Sequence, residues 1–159
     1  MPLQKQLRKP RGFDTWLTVG RTNLKVHRAL NLLLSELDLS LAQHEILLTI
    51  RQHSGLTQRE LGDRLHVVKS NATALLKKLE SRGLVRRKAD TRDSRIKRLT
   101  LTRAGESLVQ RSFAAQTRVI KAMAAVMSDA ELEHMYDLMS RVDGEIDCLT
   151  GSIRQDHNR

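Results

Sequence analysis

The stretch TQRELGDRLHVVKSNATALLKKLESRGLVRRKADTRDSRIKRLTLT, residues 57–102, decides how the rest of the chain is read. Thr57 followed by Glu60 is a capping box, so a short helix starts after Thr57 and ends near Leu65. Leu61 and Leu65 give it one apolar side. A second helix is expected over 69–82, with Ala72, Leu75, Leu76 and Leu79 on its packing side and Gly83 as a left-handed stop. Two short strands follow, 84–88 and 96–101, joined by the polar tip Asp90-Thr91-Arg92-Asp93-Ser94-Arg95. Helix, turn, helix and basic hairpin in that order describe a winged helix-turn-helix, a unit that docks on duplex DNA.

Charge is distributed to match. Residues 51–103 carry 15 Lys/Arg against 5 Asp/Glu, and the rest of the chain carries 13 against 13. The whole formal charge of +10 therefore falls on one unit, where a phosphate backbone needs it. A membrane-surface helix would pair its basic face with a broad apolar face. Here the cations lie on a short helix and a hairpin, and no apolar run approaches the ~20 residues of a membrane span. The lone Cys148 forms no internal disulfide, and a cytoplasmic protein is expected.

The DNA-facing set follows from side-chain size and reach. Lys69, Ser70, Asn71 and Thr73 stand on the face of the second helix opposite its leucines. Short polar groups there can approach base edges, and Asn pairs bidentately with adenine. Lys77 lies further along, where phosphates are the nearer partners. Thr57 and Gln58 join them from the start of the preceding helix. Arg86, Lys88 and Lys97, with Arg87 and Arg98, line the hairpin stem and suit backbone contacts. At the tip, Arg92 and Arg95 alternate with Asp90 and Asp93. An arginine there can enter the narrow minor groove, where the potential is most negative, while a carboxylate directs it.

Working outward, residues 1–12 read as a flexible basic tail. A first helix is expected over 14–37 and a second over 41–52, the latter opened by the Ser40–Gln43 capping box. Beyond the hairpin, Thr102 can cap a helix running from 103 to about 127. Ser128 and Glu131 open another reaching about 149, with 151–159 as a flexible tail. The fold class is mainly α with a small β-wing. A single domain spans 13–150, with its DNA-reading unit at 41–102 and dimerisation helices at 14–37 and 103–149. Two apolar stripes are compatible with a dimer, or with burial inside one subunit: Leu17, Leu24, Leu30, Leu33, Leu34 and Leu37 on the first helix, and Leu132, Met135, Leu138 or Met139, Val142, Ile146 and Leu149 on the last.

Trp16, Asn23, His27 and Asn31 fall on one stripe of the first helix. With His44 or Arg51 facing them from the second, they could line an aromatic and polar effector pocket. A partly wet dimer surface is the competing explanation of that stripe. Six scattered histidines and one cysteine make no ligand pair at metal spacing, so neither metal nor cofactor is expected. No nucleophile–base arrangement supports an enzyme.

The text LTQRELGDRL (56–65) and NATALLKKLESRGLVRRKADTRDSRIKRLTLTRAGESL (71–108) resembles the MarR family, the multiple-antibiotic-resistance regulators of bacteria. The shared pattern is L-E-x-x-G-L-V-x-R, a D-x-R-D-x-R wing and L-T-x-x-G. It is tight over 57–105 and looser, in helix order and length, elsewhere. The resemblance implies a homodimer on a pseudo-palindromic operator, commonly a repressor that a small aromatic or phenolic ligand releases. It implies that Arg95 is the minor-groove arginine and Asp93 its supporting acid, with Arg92 and Asp90 as a second pair. The family's peroxide sensors use a cysteine near the N-terminus, so Cys148 is read as structural or incidental. A winged-helix protein that coats DNA without sequence preference is the alternative.

Overall fold

A computed structural model describes residues 9–65 and 72–157, His157 by its backbone alone. Its elements are α1 (Phe13–Ser35), α2 (Leu41–Gln52), α3 (Gln58–Arg64), α4 (Ala72–Ser81), β1 (Val85–Ala89), β2 (Lys97–Leu101), α5 (Arg103–Ala124) and α6 (Asp129–His157). The fold is the expected one, mainly helical with a two-stranded wing. Two compact units divide the chain, Met1–Val119 and Ile120–Arg159.

Within the first unit, α2 begins and ends where its capping box and polar end place it. The Ser40 hydroxyl accepts from the Gln43 N–H at 3.2 Å, and the Gln43 side chain accepts from the Ser40 N–H at 3.0 Å. Two of the helix's otherwise orphaned donors are thereby satisfied. α1 stops at Ser35, earlier than expected. Asp38 (φ 51°) takes a left-handed turn that delivers Leu39 into the core. Arg82, just after α4, donates to the Asp38 carbonyl at 2.7 Å and so fastens that turn.

The core is aliphatic. Leu30, Leu34, Ile46, Leu47, Ile50, Leu61, Leu76, Leu79, Leu99 and Val109 gather from α1, α2, α3, α4, β2 and α5. Each buried leucine contributes roughly 1.5–3 kcal/mol through apolar surface withdrawn from water. α4 supplies Leu76 and Leu79 to this core while Thr73, Ala74, Lys77 and Lys78 stay exposed, which is the amphipathic split its sequence requires.

α4 ends in a Schellman arrangement. Gly83 (φ 67°) donates to the Glu80 carbonyl at 2.9 Å, and Leu84 donates to the Leu79 carbonyl at 3.0 Å. β1 and β2 then pair antiparallel, with Val85 opposite Leu101 and Ala89 opposite Lys97. The segment before α3 adds a further strand-like edge. Leu99 donates to the Leu56 carbonyl at 2.7 Å, Gly55 donates to the Leu99 carbonyl at 3.0 Å, and Thr57 bridges Arg98. The wing is thus stitched to the turn that launches α3.

In the second unit α6 continues through His157, where a tail from 151 was expected. Hydroxyls of Thr150 and Ser152 fold back onto the Ile146 and Leu149 carbonyls at 2.8 Å each, so these polar residues are accommodated within the helix. Its start matches the third capping box, Ser128 with Glu131. No described helix is long and apolar enough to cross a membrane.

Candidate nucleic-acid interface

The exposed face of α4 and the hairpin belong to the same short unit, α4 leading directly into β1. Lys69, Ser70 and Asn71 lie outside the described residues. Of the remaining helix positions, Thr73 and Lys77 are exposed, and the Gln58 carboxamide donates to the Thr73 hydroxyl at 2.8 Å. That bond fixes a side chain of α3 against the exposed face of α4. Among the described residues, the carboxamide oxygen has no further hydrogen-bond partner.

Thr57 behaves differently from its neighbour. Its hydroxyl accepts from the Glu60 N–H at 3.2 Å and donates to the Glu60 carboxylate at 2.9 Å. The Thr57 N–H also reaches that carboxylate, at 2.7 Å, and this bond, ahead of the hydroxyl's, holds the Glu60 pKa below its ordinary value. The Thr57 side chain therefore serves the cap of α3.

Among the five stem cations, two are held by carboxylates of the same unit. Arg87 grips Glu80 of α4 through both carboxylate oxygens, at 2.6 and 3.3 Å. Arg98 pairs with Asp90 and donates to the Gly55 carbonyl at 2.9 Å. Arg86, Lys88 and Lys97 are exposed, with Arg86 resting on the Thr100 hydroxyl and Lys97 on the Ser94 carbonyl.

The tip is a chain of carboxylate-capped turns. Asp90 Oδ1 accepts the backbone N–H groups of Arg92 and Asp93, at 2.8 and 3.3 Å, while Oδ2 meets Arg98. The Asp90 side chain is only 11% exposed, so it supports the hairpin from inside. Its bond with Arg92 runs through the backbone, and the expected Arg92–Asp90 side-chain pair is replaced by Arg98–Asp90. Asp93 accepts from the Arg95 N–H at 3.0 Å and takes its guanidinium bidentately, at 3.1 and 3.3 Å. The side-chain bond with Arg95, and then the backbone bond, hold the Asp93 pKa below the usual carboxylate range. Arg95 itself is 90% exposed, a cation held in one direction and open to solvent.

The six effector candidates do not form one pocket. Trp16 is 67% exposed and stacks obliquely on Phe13, their centroids 5.8 Å apart. Asn23 is exposed and His27 half-buried, and Asn31 lines a surface groove of about 410 Å³ with Arg28, Leu32 and Ser35. His44 and Arg51 engage α5 instead. His44 Nε2 meets the Gln116 carboxamide oxygen at 3.2 Å, and Arg51 pairs with Glu106 at 3.7 Å. Burial lowers the His44 pKa, against the opposing pull of Gln116 and the Glu45 charge. Cys148 is exposed on α6. Among the described residues, no group of His, Cys, Asp and Glu could hold a metal ion.

Sequence reasoning missed Arg98 as the tie between wing and α3. It read the residue by its place on a basic stem, and strand register alone sets Arg98 opposite Lys88, not Asp90.

Comparison with known proteins places this geometry in a family. The sequence pattern of the MarR family matches residues 39–97. A Bacillus cereus protein described as an HTH-type transcriptional regulator is 30% identical over 128 residues, covering 80% of this chain and 85% of that protein. The structure of a mutant E. coli MarR complexed with operator DNA superposes with a TM-score of 0.68 at 27% identity, covering 82% of this chain and 96% of that one. The S. aureus MepR–DNA complex gives 0.72 at 22% identity, covering 82% and 96%, a likeness of fold.

Proposed function

Because this chain belongs to the MarR family of DNA-binding transcriptional regulators, we propose that it is a homodimeric repressor that reads a pseudo-palindromic operator and is released by a small ligand. The observation that carries the reading is Arg95, 90% exposed on the wing yet held along one edge of its guanidinium by both carboxylate oxygens of Asp93. A cation restrained before binding loses less freedom when it enters a groove. In this reading Arg95 probes the minor groove. Gln58, Thr73 and the preceding Lys69, Ser70 and Asn71 face the major groove. Lys77, Arg86, Lys88, Arg92 and Lys97 hold phosphates.

Selection of duplexes from a random pool, followed by titration, tests the reading. An inverted repeat with half-sites about 10 bp apart is expected, bound roughly a thousandfold or more above scrambled duplex. Equal, salt-steep binding to every duplex would instead mean a sequence-neutral coat.

Support for the dimer comes from α6. Met135, Leu138, Met139, Val142, Ile146 and Leu149 recur at helical spacing and are each 41–55% exposed in the single chain. An apolar stripe of that length on one helix favours a partner that removes it from water. Ile146→Glu, at an exposed position, should leave the first unit folded and shift the protein from dimer to monomer in light scattering. A variant that stays dimeric at the same concentration removes this stripe from the interface. Release by a small ligand rests on the resemblance alone, since Trp16, Asn23, His27, Asn31, His44 and Arg51 share no single pocket.

A further inference from the structure

The Asp90–Arg98 pair sits where three separate pieces of the DNA-reading unit meet. Asp90 closes the wing tip through the Arg92 and Asp93 amides. Arg98 lies on β2, and its second guanidinium nitrogen reaches back 43 positions to the Gly55 carbonyl, just ahead of α3. The same turn is already laced to β2 by the Leu99–Leu56 and Gly55–Leu99 backbone bonds. Glu60, capping α3, adds its negative charge to the surroundings of Arg98. Tip, stem and α3 therefore share one guanidinium.

We propose that Arg98 is a positioning residue for operator recognition, clasping the wing tip through Asp90 to the α2–α3 turn through Gly55 so that Arg95 and Gln58 are presented in fixed register. The inference rests on the DNA-binding reading but concerns a residue that touches no DNA in it. Geometry explains the residue type. A guanidinium sends Nε to one partner and Nη1 to another in a rigid planar fork, whereas an ammonium on a flexible stem offers a point charge. Asp90 also holds the Arg98 pKa above its ordinary value, so the clasp does not loosen by deprotonation at any physiological pH.

Two conservative variants separate positioning from charge. Asp90→Asn keeps an oxygen for the Arg92 and Asp93 amides and loses the ionic bond to Arg98. It also removes a negative charge from a surface facing phosphates, which by electrostatics alone tightens binding to every duplex. The clasp demands the opposite sign. Affinity for the selected operator falls about tenfold, the low end of what a lost specific contact costs, while scrambled duplex is bound no more weakly than before. Arg98→Lys retains the cation, so the salt slope is unchanged, yet operator affinity falls by a similar factor. The double variant is no worse than either single one, because both break the same link.

Hydrogen exchange in the free protein gives a reading independent of DNA. The Gly55 and Leu99 amides exchange faster in both variants, while Ile46 and Ile50 in the core keep wild-type rates. An Asp90→Asn protein that binds the operator as tightly as wild type or tighter, with unchanged exchange at Gly55 and Leu99, overturns the clasp. Should the wild type itself fail to prefer any duplex, the regulator reading falls, and the exchange rates still decide whether Arg98 fixes the wing.

Discussion

Arg95→Ala should weaken binding to the operator by about tenfold to a hundredfold and flatten the preference for A·T pairs flanking each half-site. Three features set that size. The side chain is 90% exposed, so its removal leaves no cavity and the thermal midpoint of the free protein should move little. Its guanidinium is already bonded bidentately to Asp93 through Nε and one terminal nitrogen, which leaves the rest of the fork free to face outward. The minor groove over A·T runs is narrow, and its negative potential is correspondingly concentrated. Arg95→Lys should recover the salt slope but little of the flank preference, since an ammonium is not steered by two carboxylate oxygens at once. Titrating both variants against duplexes that differ only in the flanks checks this. Wild-type affinity and unchanged flank preference in Arg95→Ala would remove the tip arginine from recognition and leave Arg92 as the tip's remaining cation.

Local chemistry made much of this fold legible. Three capping boxes, Ser40–Gln43, Thr57–Glu60 and Ser128–Glu131, each join residues three positions apart, and all three form as written. Gly83 stops α4 because the left-handed turn is written into the residue itself. The Arg95–Asp93 pair is two positions apart and equally local. What the sequence conceals is the long-range pairing. His44 meets Gln116 across 72 positions, which draws it toward α5 and away from the stripe of Trp16 and Asn23. Arg51 goes the same way, to Glu106. Helical periodicity assigns a residue to a face but does not name the element that covers that face. The stem shows the same limit: five cations read alike along the chain, yet Glu80 and Asp90 claim Arg87 and Arg98. α6 outran its expected end because Gly151 weakens a helix without forbidding one.

Gly105→Ala should destabilise the first unit strongly, although alanine is the better helix former by about 1 kcal/mol. Gly105 lies in the first turn of α5, where its N–H donates to the Thr102 hydroxyl at 3.1 Å. That hydroxyl donates in turn to the Gly83 carbonyl at 2.6 Å, and the Thr102 N–H donates to the Leu84 carbonyl at 3.0 Å. The end of α4, the start of β1 and the start of α5 converge on this point. A Cβ on Gly105 would run into the Leu84 carbonyl oxygen, with the Leu101 Cβ at 3.4 Å closing the other side. The obstacle is backbone held by the Schellman turn and the sheet, so it cannot rotate aside as a side chain would. Overpacking of this kind costs roughly 1–3 kcal/mol or more, which outweighs the propensity gain. At about 2–4 °C per kcal/mol for a chain of this size, the midpoint should fall by several degrees. The wing would shift with it, and operator affinity would drop even in molecules that remain folded. Gly144→Ala is the matched comparison. It lies in the interior of α6, nothing lies within 4 Å of its added Cβ, and it should raise the midpoint through helix propensity. Opposite signs for one substitution at two helical glycines would place the cause in the Leu84 carbonyl. A Gly105→Ala protein that melts at or above wild type would mean that the junction of α4, β1 and α5 yields far more readily than its hydrogen bonds imply.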